Sequence, residues 1–161
     1  MKFEMLSIAA AVAVLNPFAF TVAAQAPHVD HFTPTQVRQL ARALSGKAQA
    51  QGGSASDKLA EYPNHFTMIA LRKASGGAEI HENFADLFVV AEGRATLLTG
   101  GNLEGAKSSG PGEIHGTSLT GASEQALGKG DIVHIPAGVP HQILLPHGGM
   151  FAYFVIKVKE K

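Results

Sequence analysis

The chain has 161 residues, with 13 basic and 13 acidic side chains that leave no net charge at neutral pH. This balance gives no electrostatic reason to expect nucleic acid or an anionic membrane surface as a partner. The absence of cysteine excludes disulfides, thiolate nucleophiles and thiolate metal ligands. A hydrophobic content of 45% permits one domain to be held together by its core alone.

The first predicted element is an apolar stretch from Met5 to Ala24 that is broken by Pro17. It ends in an A-x-A pattern, which is typical of a secretory signal peptide cleaved after Ala26. An uncleaved membrane anchor is the alternative, because the stretch is nearly long enough to span a bilayer. We therefore predict a signal peptide over 1–26, an extracytoplasmic (periplasmic or secreted) location, and no membrane contact after cleavage.

A short helix is the next predicted element. Thr33-Pro34-Thr35-Gln36 has the form of a capping box with proline at the first helical position. Apolar residues follow at helical spacing, and Gly46 suits a helix end. The pattern predicts a helix over about 34–44 that packs on the outside of the domain or on a partner, as in a homodimer.

Residues 47–57 are small and polar, which indicates a linker or exposed loop, so 27–60 are interpreted as an N-terminal helix and linker.

From His65 onward, short apolar runs alternate with glycine-rich turns. Many short strands at close spacing indicate an all-β sandwich or barrel, which we assign to 61–161. The glycine-rich stretch from Gly100 to Glu113 is longer than a tight hairpin needs and predicts a mobile loop. The predicted strands are Phe66–Leu71, Ala78–His81, Ala85–Ala91, Arg94–Thr99, Ile114–Leu119, Gln125–Leu127, Ile132–Ile135, Gln142–Leu145 and Met150–Val158.

Two segments carry the candidate metal ligands. The first contains Glu79, His81 and Asp86, and the second places His141 after a Pro/Gly turn. Because side chains alternate along a strand, Glu79 and His81 share one face. In isolation these two residues have a simpler explanation, in which both face water and Ile80 faces the core. Two histidines and two carboxylates together are a plausible ligand set for one divalent metal.

The spacing of these residues resembles the two motifs of the cupin superfamily. The first motif reads H-x-H, three or four residues, E, six residues, G, and here Glu79, His81, Asp86 and Gly93 occupy those positions. The second reads G, five residues, P-x-G, two residues, H, three residues, N. Gly130, Pro136, Gly138 and His141 occupy the positions of this second motif up to its histidine.

This resemblance implies an antiparallel jelly-roll β-barrel with a short N-terminal helix and a metal held inside by Glu79, His81, Asp86 and His141. Three positions depart from the family pattern. Glu79 stands in place of a histidine, Asp86 in place of a glutamate, and Leu145 in place of the final asparagine.

The two carboxylates set the expected charge of the site. Without a cation they repel each other, whereas a dication with both carboxylates and two neutral histidines forms a formally neutral cluster. Such a cluster favours Mn or Fe, although Ni, Co and Zn also accept nitrogen and oxygen ligands. Four protein ligands on an octahedral ion leave two positions for a substrate.

We therefore predict a metal-dependent enzyme that acts on a small molecule, with a dioxygenase-type oxidoreductase as the leading hypothesis. The alternatives are a non-catalytic cupin that binds a sugar or an acid, and a metal-dependent isomerase or lyase. His65 and His134 lie near the predicted site in sequence and are candidates for contacts behind the ligands or for proton transfer.

Overall fold

Two helices and twelve strands make up the part of the chain that this computed structural model describes, residues 29–160. The predicted signal peptide over 1–26 lies outside the described residues. The helices are α1 (Pro34–Ala43) and α2 (Ser45–Ala50). The strands are β1 (Ser54–Glu61), β2 (His65–Arg72), β3 (Ala78–His81), β4 (Phe84–Thr99), β5 (Asn102–Glu104), β6 (Lys107–Gly110), β7 (Glu113–Gly116), β8 (Ser118–Thr120), β9 (Ser123–Gly128), β10 (Ile132–Ile135), β11 (His141–Leu144) and β12 (Phe151–Lys159).

The strands form two antiparallel sheets that share the long strand β4. In the first sheet the order is β1-β2-β12-β4-β10. In the second the order is β6-β7-β3-β11-β4-β9. A separate hairpin-like pair is formed by β5 and β8. This topology is a jelly roll, so the predicted all-β antiparallel barrel with a short N-terminal helix is confirmed.

Gly93 is the point at which β4 passes from one sheet to the other. Its φ of +91° is accessible to glycine, and a Cβ there would lie 1.8 Å from the carbonyl oxygen of Met150. The residues before it pair with β12 and β10, and those after it pair with β11 and β9. The sequence predicted two strands separated by a glycine turn, whereas the structure has one continuous strand that bends.

Side chains from both sheets fill the space between them. Phe88, Phe151 and Tyr153 of the first sheet pack with Leu97 and Ile143 of the second. All of these are at least nine-tenths buried. Burial of such apolar side chains is the main stabilising contribution in a domain without disulfides. The metal-ligand candidates therefore lie on strands whose inner faces line an apolar interior.

A second apolar cluster attaches the helices to the outside of the first sheet. Thr33 caps α1 and forms the predicted capping box with Gln36. Ala41 and Leu44 pack against Ile69 and other residues of the sheet. The apolar face of α1 is therefore buried against the sheet of the same chain.

Two predictions about the irregular segments are wrong. Residues 47–57 are not a linker, because they contain most of α2 and the first half of β1, and Gly46 lies within α2. The predicted domain boundary between residues 60 and 61 falls inside β1. The predicted loop Gly100–Glu113 contains β5, β6 and the first residue of β7.

Within residues 29–160, no helix combines the length and the apolar character needed to cross a bilayer.

Candidate metal centre

Three neighbouring strands bring the predicted ligands together. β3 carries Glu79 and His81, β4 carries Asp86, and β11 carries His141, which lies directly opposite Glu79 in the antiparallel register. The backbone N–H of Gly138 donates to the carbonyl of His81 at 2.8 Å, which joins the two sequence motifs directly. His81 is 8% exposed and His141 is 3% exposed. The interpretation in which the residues of β3 merely face water is therefore wrong for His81.

The ligand atoms converge on one point. Glu79, His81 and His141 each offer an atom within 4.8 Å of the other two. Asp86 Oδ2 lies 3.7 Å from His81 Nε2 and 3.8 Å from His141 Nε2. Glu79 Oε1 lies 3.5 Å from His141 Nε2. Two nitrogens and two carboxylate oxygens therefore face a common space.

Hydrogen bonds behind the histidines fix which ring nitrogen faces that space. His141 Nδ1 lies 3.1 Å from the carbonyl oxygen of Val139, and since a carbonyl only accepts, Nδ1 carries the proton. His81 Nδ1 lies 2.6 Å from Glu113 Oε2 and donates to that carboxylate in the same way. Nε2 is therefore the nitrogen of each ring that is available to a metal, to which it offers its lone pair when the ring is neutral. The donor set therefore fits a divalent ion.

Asp86 is paired with a cation through the oxygen that does not face the histidines. Lys157 lies opposite Asp86 on β12, and its Nζ is 2.5 Å from Asp86 Oδ1. The side chains of both residues are largely buried, at 13% and 10% exposure. Only Oδ2 faces the histidines, so Asp86 can offer a metal one oxygen.

Arg72 holds Glu79 from the opposite side of the site. Its Nη2 lies 3.4 Å from Glu79 Oε1, and its Nε donates to the Tyr153 hydroxyl at 3.1 Å. Burial by itself would raise the pKa of Glu79, but the hydrogen bond and charge of His141, with Arg72 and His81, outweigh burial and lower it well below the usual range. Glu79 is therefore a carboxylate at neutral pH. Burial raises the pKa of Tyr153 more than the neighbouring Arg72 lowers it, so its hydroxyl keeps its proton.

The two other candidate histidines, His65 and His134, are not part of the group that could hold a metal. His65 is half-buried, with Nδ1 2.8 Å from Asn64 Oδ1 and its ring stacked on Tyr62. His134 is exposed on β10 and lines the cavity described below. The groups directly behind the ligand histidines are instead Glu113 and the Val139 carbonyl. A role in proton transfer for His65 or His134 stays a prediction.

Three charged residues of the site were not found from the sequence. Arg72 and Lys157 each belong to a largely apolar strand. A charged residue within such an apolar run is the signal by which the sequence could have indicated them. Glu113 fell in the segment predicted as a loop. All three contact a predicted ligand across strands.

A cavity of about 580 Å³ lies beside the site. It is lined by residues of β4, β9, β10 and the turn after β10. Three lining residues adjoin the ligand candidates: Thr99 pairs with His141, Ile135 pairs with Asp86, and Val139 accepts from His141. The cavity is large enough for a small organic molecule.

No family model matches the chain, and no curated protein matches it. Solved structures do match. The cupin domain of Schizosaccharomyces pombe Cnp3 is 10% identical over 66% of this chain and 65% of that chain, with a TM-score of 0.50. The polyketide cyclase RemF from Streptomyces resistomycificus is 16% identical over 66% of this chain and 65% of its own, with a TM-score of 0.48. The DMSP lyase DddQ from Ruegeria pomeroyi is 17% identical over 70% of this chain and 50% of its own, with a TM-score of 0.49.

The topology and the inward-facing ligand candidates define a jelly-roll barrel with a potential metal centre. The match to the Cnp3 cupin domain shows that this barrel has the cupin fold. The fold implied by the resemblance of the two motifs to the cupin superfamily is therefore confirmed. In each of the three comparisons the chain covers less than two thirds of the other protein.

Proposed function

We propose that this protein is a metal-dependent cupin enzyme that acts on a small molecule, with dioxygenase-type oxidation as its reaction. The observation that carries the proposal is the group of Glu79, His81 and His141, whose ligand atoms lie within 4.8 Å of one another inside the barrel. Asp86 Oδ2 lies 3.7 and 3.8 Å from the Nε2 atoms of the two histidines. Two histidines and a carboxylate with open positions form the ligand type of non-haem iron oxygenases.

Glu79, His81 and His141 would hold the metal, with Asp86 Oδ2 as a fourth ligand. Their combination of two nitrogens and two carboxylate oxygens favours Mn or Fe over soft metals such as copper. When bound, the metal would polarise a substrate oxygen and supply redox chemistry. The positions that the protein leaves open would receive the substrate.

The protein's own residues would prepare the site in three ways. Glu113 and the Val139 carbonyl orient the two rings and keep their protons on Nδ1. His141 and Arg72 lower the pKa of Glu79 and so favour its ionised form. The surrounding apolar side chains, such as Phe88 and Ile143, exclude water and strengthen the electrostatic interactions in the barrel.

The 580 Å³ cavity is the proposed substrate chamber. It combines apolar walls with a few polar groups, which is the usual composition of a small-molecule site. The sequence pattern over 1–26 further supports work outside the cytoplasm, where the protein would be found after cleavage.

Metal content is the first test. The protein should be purified without an affinity tag or chelator and measured by elemental analysis beside Glu79→Gln, His141→Ala and the exposed control His147→Ala. We expect close to one Mn or Fe per chain in the wild type and in the control, and loss of the metal in the other two variants. A wild type that takes up no metal after soaking in Mn, Fe, Ni and Zn would contradict the proposal.

Oxygen consumption is the second test. Small substrates should be screened with an oxygen electrode on the metal-loaded protein. Turnover with oxygen uptake supports the dioxygenase. Turnover without it would instead indicate a lyase or isomerase, and ligand binding without turnover would indicate a binding protein.

A further inference from the structure

Two largely buried cations contact carboxylates of the candidate metal site. Arg72 on β2 reaches Glu79, and Lys157 on β12 reaches Asp86. Each of these two cationic side chains is 13% exposed. Buried lysine and arginine are uncommon unless paired, and here each is paired with a carboxylate that is also a ligand candidate.

These cations change the charge of the site from the value expected from the ligands alone. The charges of Glu79 and Asp86 are cancelled by those of Arg72 and Lys157. A dication would therefore leave an excess of two positive charges rather than a neutral cluster. Glu113 removes one of them, although its side chain is 37% exposed and water partly screens it. The metal-loaded barrel would retain about one uncompensated positive charge.

An uncompensated charge among largely buried side chains, such as His81, Asp86 and His141, is unfavourable, and a bound anion relieves it. We propose that the metal-loaded site selects small monoanionic ligands of the carboxylate class, and that Lys157 is the residue that sets this preference. This inference rests on the proposed function and specifies its substrate class. A monoanion matches the single excess charge, whereas a dianion such as phosphate would replace it by an excess negative charge.

A purely structural role for the Asp86–Lys157 pair makes a different prediction. Breaking a buried ion pair from either side lowers stability because it leaves an unpaired charge. A structural pair would change stability without discriminating between an anion and a neutral molecule of the same shape. The charge of the ligand is therefore the variable to test.

The experiment is a two-step calorimetric titration. The metal-free protein is first titrated with Mn²⁺, and the loaded protein is then titrated with lactate or with lactamide, its neutral amide of nearly equal size. In the wild type we expect lactate to bind at least about tenfold more tightly than lactamide. This comparison requires no variant and does not depend on turnover.

Variants of Lys157 assign the effect to the residue. Lys157→Met should weaken lactate binding by roughly tenfold, leave lactamide binding unchanged, and leave Mn²⁺ binding equal or tighter. Lys157→Arg keeps the charge and should retain most of the lactate affinity. Lys73→Met removes an exposed cation and should behave as the wild type.

Equal affinities of the wild type for the two probes, or binding of neither, would overturn the inference. A Lys157→Met protein that still prefers lactate as strongly as the wild type would show that Lys157 does not set this preference. Failure of the proposed function appears separately, in the first step, as an absence of Mn²⁺ binding.

Discussion

Glu113 Oε2 lies 2.6 Å from His81 Nδ1, so a carboxylate on β7 orients a predicted metal ligand on β3. Carboxylates that accept from a ligand histidine fix its tautomer and increase its basicity. We expect Glu113→Gln to weaken metal affinity by about 10- to 100-fold, because the neutral amide is a poorer acceptor. Competition of Mn²⁺ or Zn²⁺ against a chromogenic chelator measures this change.

The matched control for this prediction is Glu124→Gln on β9. Glu124 is an exposed carboxylate, so the substitution removes the same charge at another position. Metal affinity in this control should stay within about twofold of the wild type. Equal affinities in both variants would mean that Glu113 does not contribute through His81.

The ligand candidates could be predicted because their positions follow from local spacing. Strand alternation places Glu79 and His81 on one face, and the Pro/Gly turn with Gly138 delivers His141 to the next strand. The charged partners behind them could not be found in this way. Lys157 meets Asp86, and Glu113 meets His81, through strand pairings that no short segment encodes.

The errors in the fold prediction have a similar cause. Residues 47–57 are small and polar, yet Ala48 and Ala55 are buried where α2 and β1 meet the sheet. The glycines in Gly100–Glu113 indicated a loop, but neighbouring strands supply the hydrogen bonds that make β6 and β7. Tertiary pairing thus overrides weak local propensity.

Gly93, the single glycine of β4, is expected to be intolerant of substitution. Gly93→Ala would place a Cβ against the Met150 carbonyl and would occupy a φ of +91° that side chains rarely adopt. We expect a loss of about 3 kcal/mol or more in the free energy of unfolding, measured by urea titration. Gly128→Ala is the control, since no atom lies within 4 Å of its added Cβ. A similar loss in the two variants would contradict the role of Gly93 as the bend.

Removal of the N-terminal cap of α1 should lower the free energy of unfolding less than Gly93→Ala does. The Thr33 hydroxyl accepts from the Gln36 backbone N–H at 3.3 Å, and Gln36 Oε1 accepts from the Thr33 N–H at 2.9 Å. Thr33→Ala should lower the free energy of unfolding by about 1 kcal/mol, whereas Thr33→Ser should preserve it. Urea titration measures both. Identical values for alanine and serine would show that the cap does not stabilise the docked helix.

Glu79 should make the stability of the metal-free protein depend on pH. Its pKa is lowered in the folded state, so its contribution is present above the unfolded value of 4.5 and is lost as pH falls below that value. We expect the difference in free energy of unfolding between the wild type and Glu79→Gln, measured in EDTA, to be larger at pH 7 than at pH 3.

The other carboxylates are common to both proteins, so their titration largely cancels in this difference. Glu124→Gln should show no such trend, because its side chain is exposed. A difference that stays constant across this range would mean that the cations around Glu79 do not favour its charged form, and the electrostatic description of the site would have to be revised.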